Sequence, residues 1–186
     1  MAVVIAMLRG VNVGGNNRLP MEALRALCLP LGLRGVQTYI QSGNLVFYDA
    51  TENPAASARL LEEAIHKKFG FKPAVVVRTP ADLRKVIAKN PFAGRAEVAP
   101  NRLLVVFLDR APTRQARDQV LALKRDPEEM HLNGRELYIH YPHGMARPTI
   151  PVARIEKMLQ CTTTARNLNT VQNLLAMAHT MEAAGA

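Results

Sequence analysis

The sequence predicts an α+β protein made of two ferredoxin-like (βαββαβ) halves with an added C-terminal helix. Three observations carry this expectation. Ala2–Leu8 is wholly apolar and Arg102–Asp109 mostly so, as in strands covered on both faces. Each run is followed by a helical stripe and then by two strand-like runs joined through turn residues. In residues 1–78 the order closes with a helix and a fourth strand.

The elements follow in order. After Ala2–Leu8 comes the loop Arg9–Arg18, and Pro20 suits the first position of a helix. Met21, Leu24, Leu27, Cys28 and Leu31 share one face of that helix, which Pro30 and Gly32 end. Val36–Ile40 and Leu45–Asp49 are expected to form a hairpin through Ser42, Gly43 and Asn44. Asn53-Pro54 opens a second helix that Gly70 stops, and Pro73–Arg78 is the fourth strand.

Thr79 and Asp82 read as a capping box for a connecting helix to about Asn90, and Pro91–Pro100 as the boundary loop. Domains are therefore expected at 1–90 and 101–186. The second half repeats the order: a strand at Arg102–Asp109, a helix at Pro112–Lys124, and a hairpin of Glu128–Leu132 with Arg135–Tyr141 around Asn133-Gly134. A helix at Pro151–Leu159 and a β-prone edge segment at Thr162–Thr164 follow. The last helix carries Val171, Leu174, Leu175 and Ala178 on one face. The halves share element order, not residues. Val4, Ile5, Ala6, Leu24, Cys28, Phe47, Val105, Phe107, Leu137 and Ile139 are the expected core.

Composition narrows the function classes. A hydrophobic content of 48% excludes a disordered chain. No apolar run approaches the ~20 residues of a membrane span, and the apolar start lacks the basic flank of a signal peptide. Two cysteines, Cys28 and Cys161, argue against a disulfide scaffold and for a cytosolic location. The net charge of +9 favours an anionic partner, although no basic run exceeds two residues.

Four segments bear on identity: Leu8–Gly15 (LRGVNVGG), Tyr39–Asn44 (YIQSGN), Asn90-Pro91-Phe92 and Ala165–Thr170 (ARNLNT). Together they resemble the bacterial domain-of-unknown-function family numbered 1697, over essentially the whole chain. Leu168 stands where that family more often has Trp. The resemblance implies a two-part α+β fold and brings no activity, substrate or catalytic residue.

Topology locates a candidate site. In a βαββαβ unit the first loop, the hairpin and the Phe69–Lys72 turn meet at one sheet end. Gly10, Gly14 and Gly15 would admit a ligand to backbone N–H groups, Arg9 and Arg18 would supply charge, and Asn12, Asn16, Asn17, Ser42, Gly43 and Asn44 would add hydrogen bonds. The competing reading is that the glycines make a tight turn and the asparagines bond their own backbone. Arg166 and Asn167 are added as candidates, because helix capping accounts for Asn169 and Thr170 only. Arg9, Asn12 and Asn44 are expected to line one cavity.

Other chemistry finds less support. His131, His140 and His143 are close in sequence, but His131 is expected opposite Glu136 with His140 roughly 13 Å further along, too far for one metal ion. Ser42 lacks a nucleophile elbow and a base, and neither cysteine has a neighbouring histidine. An RNA-recognition sheet needs exposed aromatics on its central strands, and Ala2–Leu8 has none. The sequence declares no reaction, no cofactor and no metal. The expected function is binding of a small anionic or phosphate-bearing ligand, with nucleic-acid binding or ligand-free scaffolding as alternatives.

Overall fold

The computed structural model describes residues 1–51, 53–123, 126–146, 148–149 and 151–185. Two four-stranded antiparallel sheets, each with helices, form two ferredoxin-like halves. The first holds β1 (Ala2–Leu8), β2 (Arg34–Tyr39), β3 (Asn44–Asp49) and β4 (Val75–Arg78) in the order β2-β3-β1-β4. The second holds β5 (Leu103–Leu108), β6 (Glu129–Asn133), β7 (Glu136–His140) and β8 (Thr163–Asn167) in the order β6-β7-β5-β8. The helices are α1 (Met21–Cys28), α2 (Pro54–Phe69), α3 (Pro80–Ala88), α4 (Arg114–Leu121), α5 (Val152–Leu159) and α6 (Leu168–Ala184). Among the described residues no helix is long and apolar enough to cross a membrane.

The chain divides into two compact units, Met1–Lys85 with Gln172–Ala186, and Val86–Val171. From the sequence, the whole last helix is expected in the second half. Instead the unit boundaries fall inside α3 and α6, and the end of α6 belongs to the first unit. Apolar burial explains the difference. In the first unit, Val4, Ala6, Leu8, Leu45 and Phe47 face a core closed by Leu24, Cys28, Leu61 and Ile65 of α1 and α2. Val3, Ile5 and Met7 point the other way and are buried as well. That second face is where Tyr48 lies, and its hydroxyl donates to the Met181 carbonyl of α6 at 2.7 Å. An all-apolar β1 needs such a second cover.

The same holds in the second unit, where every residue of β5 is buried. Leu104, Val106 and Leu108 pack with Val120 of α4 and Ile155 and Leu159 of α5. The opposite face is covered by Phe92 and Arg95, within the expected boundary loop. There Asn90 Oδ1 accepts from the Phe92 amide (3.0 Å), and buried Phe92 meets the rings of His131 and His140 at 5.2 and 5.8 Å. Arg95 lies over the Phe92 ring and forks onto Glu129 with two 2.8 Å bonds. Tyr138 donates to the Val86 carbonyl at 2.7 Å. Asn90-Pro91-Phe92 is thus a plug on this sheet.

Local chemistry sets most ends as expected. Asn53 caps α2 and Gly70 ends it at φ 79°. Thr79 and Asp82 exchange reciprocal bonds, Thr79 N to Asp82 Oδ2 (3.0 Å) and Asp82 N to Thr79 Oγ1 (3.1 Å). Three details differ. The first helix ends at Cys28 and continues as a 3-10 turn over Leu29–Leu31. The fourth helix stops at Leu121, while its expected end, Lys124, lies outside the described residues. The second hairpin turns at Gly134-Arg135, pairing Asn133 with Glu136, His131 with Tyr138 and His140 with Glu129. Gly134 at φ 62° takes the first turn position, which moves the register from the one that Asn133-Gly134 implied.

His140 gives a stability test. It is buried with neither ring nitrogen hydrogen-bonded, and Nδ1 lies 3.8 Å from Glu129 Oε1. Since unbonded buried polar atoms cost free energy, His140→Leu is expected to leave stability unchanged or raise it by about 1 kcal/mol. The urea midpoint measures this. A loss above about 2 kcal/mol would show that the imidazole makes a net favourable contact.

Candidate functional site

The Arg9–Arg18 loop and the β2–β3 hairpin do meet at one end of the first sheet. The Leu8 amide donates to the Gly43 carbonyl (2.8 Å), and the Arg9 amide to that of Ala74, just before β4 (2.9 Å). Within the loop, Asn12 and Asn17 pair through Asn12 N to Asn17 O (3.1 Å), and Asn16 N donates to Val13 O (3.1 Å). The segment is therefore a miniature hairpin. Gly14 and Gly15 form its tip at φ 59° and 79°, the two positive values that a type I′ turn demands.

Asn12 locks the hairpin to its surroundings. Its Nδ2 donates to the carbonyls of Leu19 and Gln41, both at 2.8 Å, and its Oδ1 accepts from the Leu19 amide at 2.7 Å. Asn17 Nδ2 reaches the Gly10 carbonyl (3.0 Å). Asn44 is fully buried and donates to the Tyr39 carbonyl and to Ser42 Oγ, each at 2.9 Å. Gly43 is buried against Val11 and Leu8. These bonds hold the loop and the hairpin together.

An open groove of about 600 Å³ lies beside this scaffold, lined by Asn12, Arg18, Pro20, Met21, Glu22, Arg25 and Gln41. A second hollow of about 310 Å³ is lined by Asn12, Gly15, Asn16 and Arg18, so Arg18 borders both. The side chains of Arg18, Glu22 and Gln41 are exposed and make no hydrogen bond or ion pair among the described residues. Arg25 Nη1 donates to Thr38 Oγ1 on β2. Of the three residues expected at one cavity, one borders this groove. Asn12 lines it, but Arg9 and Asn44 do not, and Glu22, Arg25 and Gln41 join it. Asn44 is absent because the start of β3 needs its amide to close the hairpin. Arg25 escaped sequence reasoning because only the fold of α1 against β2 brings it beside Arg18.

Arg166 and Asn167 belong to the second unit and lie on β8, not in a loop. Asn167 Oδ1 accepts from the Thr170 amide (2.9 Å), so Asn167 caps the start of α6. Arg166 is buried, donating to Thr164 Oγ1 (2.9 Å) and the Ala165 carbonyl (2.8 Å), and burial pulls its guanidinium down to about 10. The cysteines offer little nucleophilic character. Burial pushes Cys28 up to about 12 and also raises Cys161. Among the described residues no group of three His, Cys, Asp or Glu side chains is placed to hold a metal ion. A further hollow of about 390 Å³ in the first unit includes Arg84, but that guanidinium is engaged by His179 (2.7 Å) and Glu182 (3.2 Å).

Residues 1–138 match the model of a family described as a protein of unknown function, DUF1697. The chain belongs to this family. Its Leu8–Gly15, Tyr39–Asn44 and Asn90–Phe92 segments fall in the matched part, and the structure gives each a packing role. No curated protein matches the chain. Among solved structures, that of the conserved bacterial protein SP0830 from Streptococcus pneumoniae is similar, with a TM-score of 0.73 and 21% identity. The alignment covers 95% of this chain and 98% of that one. At this identity the likeness extends to the fold.

Proposed function

We propose that this DUF1697 protein binds a small phosphate-bearing ligand in the groove between the glycine hairpin and α1. The observation that carries the reading is Arg18, an exposed, uncommitted guanidinium bordering two hollows on a loop held in place by Asn12. Such a loop fixes the Arg18 backbone before a ligand arrives, so only the side chain remains to be ordered on binding. Arg25 and the Gln41 carboxamide complete a wall of donors, and an arginine fork matches phosphate oxygens two at a time.

Inorganic phosphate and pyrophosphate are the probes, titrated by calorimetry. Arg18→Gln is expected to weaken binding by about tenfold or more, the loss of one charge-assisted contact. Arg114→Gln removes the same charge from an exposed position on α4 and should leave affinity unchanged. Equal losses in both variants would mean that only net charge matters. The alternative, nucleic-acid binding through dispersed basic residues, draws on the net charge of +9. It requires affinity to fall steeply with salt, whereas a pocket ligand should be far less sensitive.

A further inference from the structure

We infer that the groove takes a phosphate monoester of a polyhydroxylated body, a sugar phosphate or a nucleoside monophosphate, rather than inorganic phosphate. The inference rests on the anion-binding reading above. Glu22 carries it. Its carboxylate lines the same groove as Arg18 and Arg25, three residues before Arg25 on α1, yet among the described residues pairs with neither. An ionised carboxylate only accepts hydrogen bonds, so it repels a bare phosphate dianion and welcomes a ligand that also brings hydroxyl donors. Size points the same way. About 600 Å³ is far more than a tetrahedral anion fills and lies within the range of pockets for whole organic ligands. Pro20 and Met21 give the floor apolar surface for the carbon skeleton, while Gln41 can both donate and accept.

A simpler role for Glu22 is to complement the positive end of α1, whose first turn it occupies. The two roles predict opposite signs. Calorimetry on the wild type and on Glu22→Gln would use inorganic phosphate, ribose 5-phosphate and adenosine 5′-monophosphate. In the wild type the esters should bind about tenfold more tightly than phosphate, and Glu22→Gln should weaken the esters by a similar factor while strengthening phosphate. Adenosine monophosphate binding above ribose 5-phosphate would assign a nucleotide; equal affinities would assign a sugar phosphate. Glu22 is exposed, so the variant should fold, and its melting curve checks this. If Glu22→Gln strengthens all three alike, the carboxylate serves only the helix and the inference fails while the anion site stands. If none of the three shows binding that Arg18→Gln abolishes, the anion site itself falls, and this inference with it.

Discussion

Gly43→Ala is expected to destabilise the first unit by about 3 kcal/mol, the sum of backbone strain and overpacking. Gly43 sits at φ 74°, where any side chain is strained. A Cβ there would lie 2.5 Å from Val11 Cγ2 and 2.9 Å from Leu8 Cβ, distances that real atoms do not adopt. Leu8 Cβ is fixed by β1 and cannot swing away. Gly14→Ala is the internal control, with φ 59° but nothing within 4 Å of the added atom. It should cost only the conformational strain, about 1–2 kcal/mol. Urea unfolding of both variants separates the two effects. A double variant Gly43→Ala/Val11→Ala should recover part of the loss, because the contact with Leu8 remains. Equal destabilisation by the two glycine variants would mean that the hairpin relaxes around the clash.

The second large effect concerns Asp49, the last residue of β3. It is fully buried, and its oxygens accept from Thr51 N (2.8 Å), Thr51 Oγ1 (2.6 Å) and Ser57 Oγ (2.6 Å). The carboxylate thereby ties the end of the strand to the first turns of α2. Asp49→Ala leaves the buried Ser57 hydroxyl without this acceptor and is expected to cost about 3 kcal/mol. The pH dependence follows from the same contacts. Burial opposes ionisation of Asp49, but the bonds from Ser57 and Thr51 outweigh it and hold the carboxyl below its ordinary value. A depressed folded-state value means that the contribution is complete above the unfolded carboxyl range and is lost as pH falls through the folded one. Wild-type stability should therefore decline on acidification, and Asp49→Asn should flatten that decline. Parallel pH profiles for the two proteins would assign the acid sensitivity to other carboxylates.

These tests separate scaffold from site, the distinction on which the sequence was least legible. Motif residues drew attention as ligand contacts because glycine, asparagine and arginine on a loop serve either purpose. Asn12 and Asn44 proved to spend their amides on backbone carbonyls. Asn167, set aside from capping, is a cap. Within four residues several side chains can reach the same amide, and composition cannot say which one does. By contrast, the expected core residues from Val4 to Ile139 are all buried, because apolar runs and stripes state their own preference for burial.

The sequence by itself determined element order, the covered central strands, the caps at Asn53, Gly70 and Thr79–Asp82, and the sheet end where loop and hairpin meet. Each depends on neighbours in the chain or on a period of two or 3.6 residues. Only the tertiary structure decided that the end of α6 belongs to the first unit, that Asn90-Pro91-Phe92 plugs the second sheet, and that Arg25 and Glu22 join Arg18 around one groove. Those outcomes turn on which apolar faces remain uncovered after the local elements form. Burying them brings together residues that nothing in their sequence spacing relates.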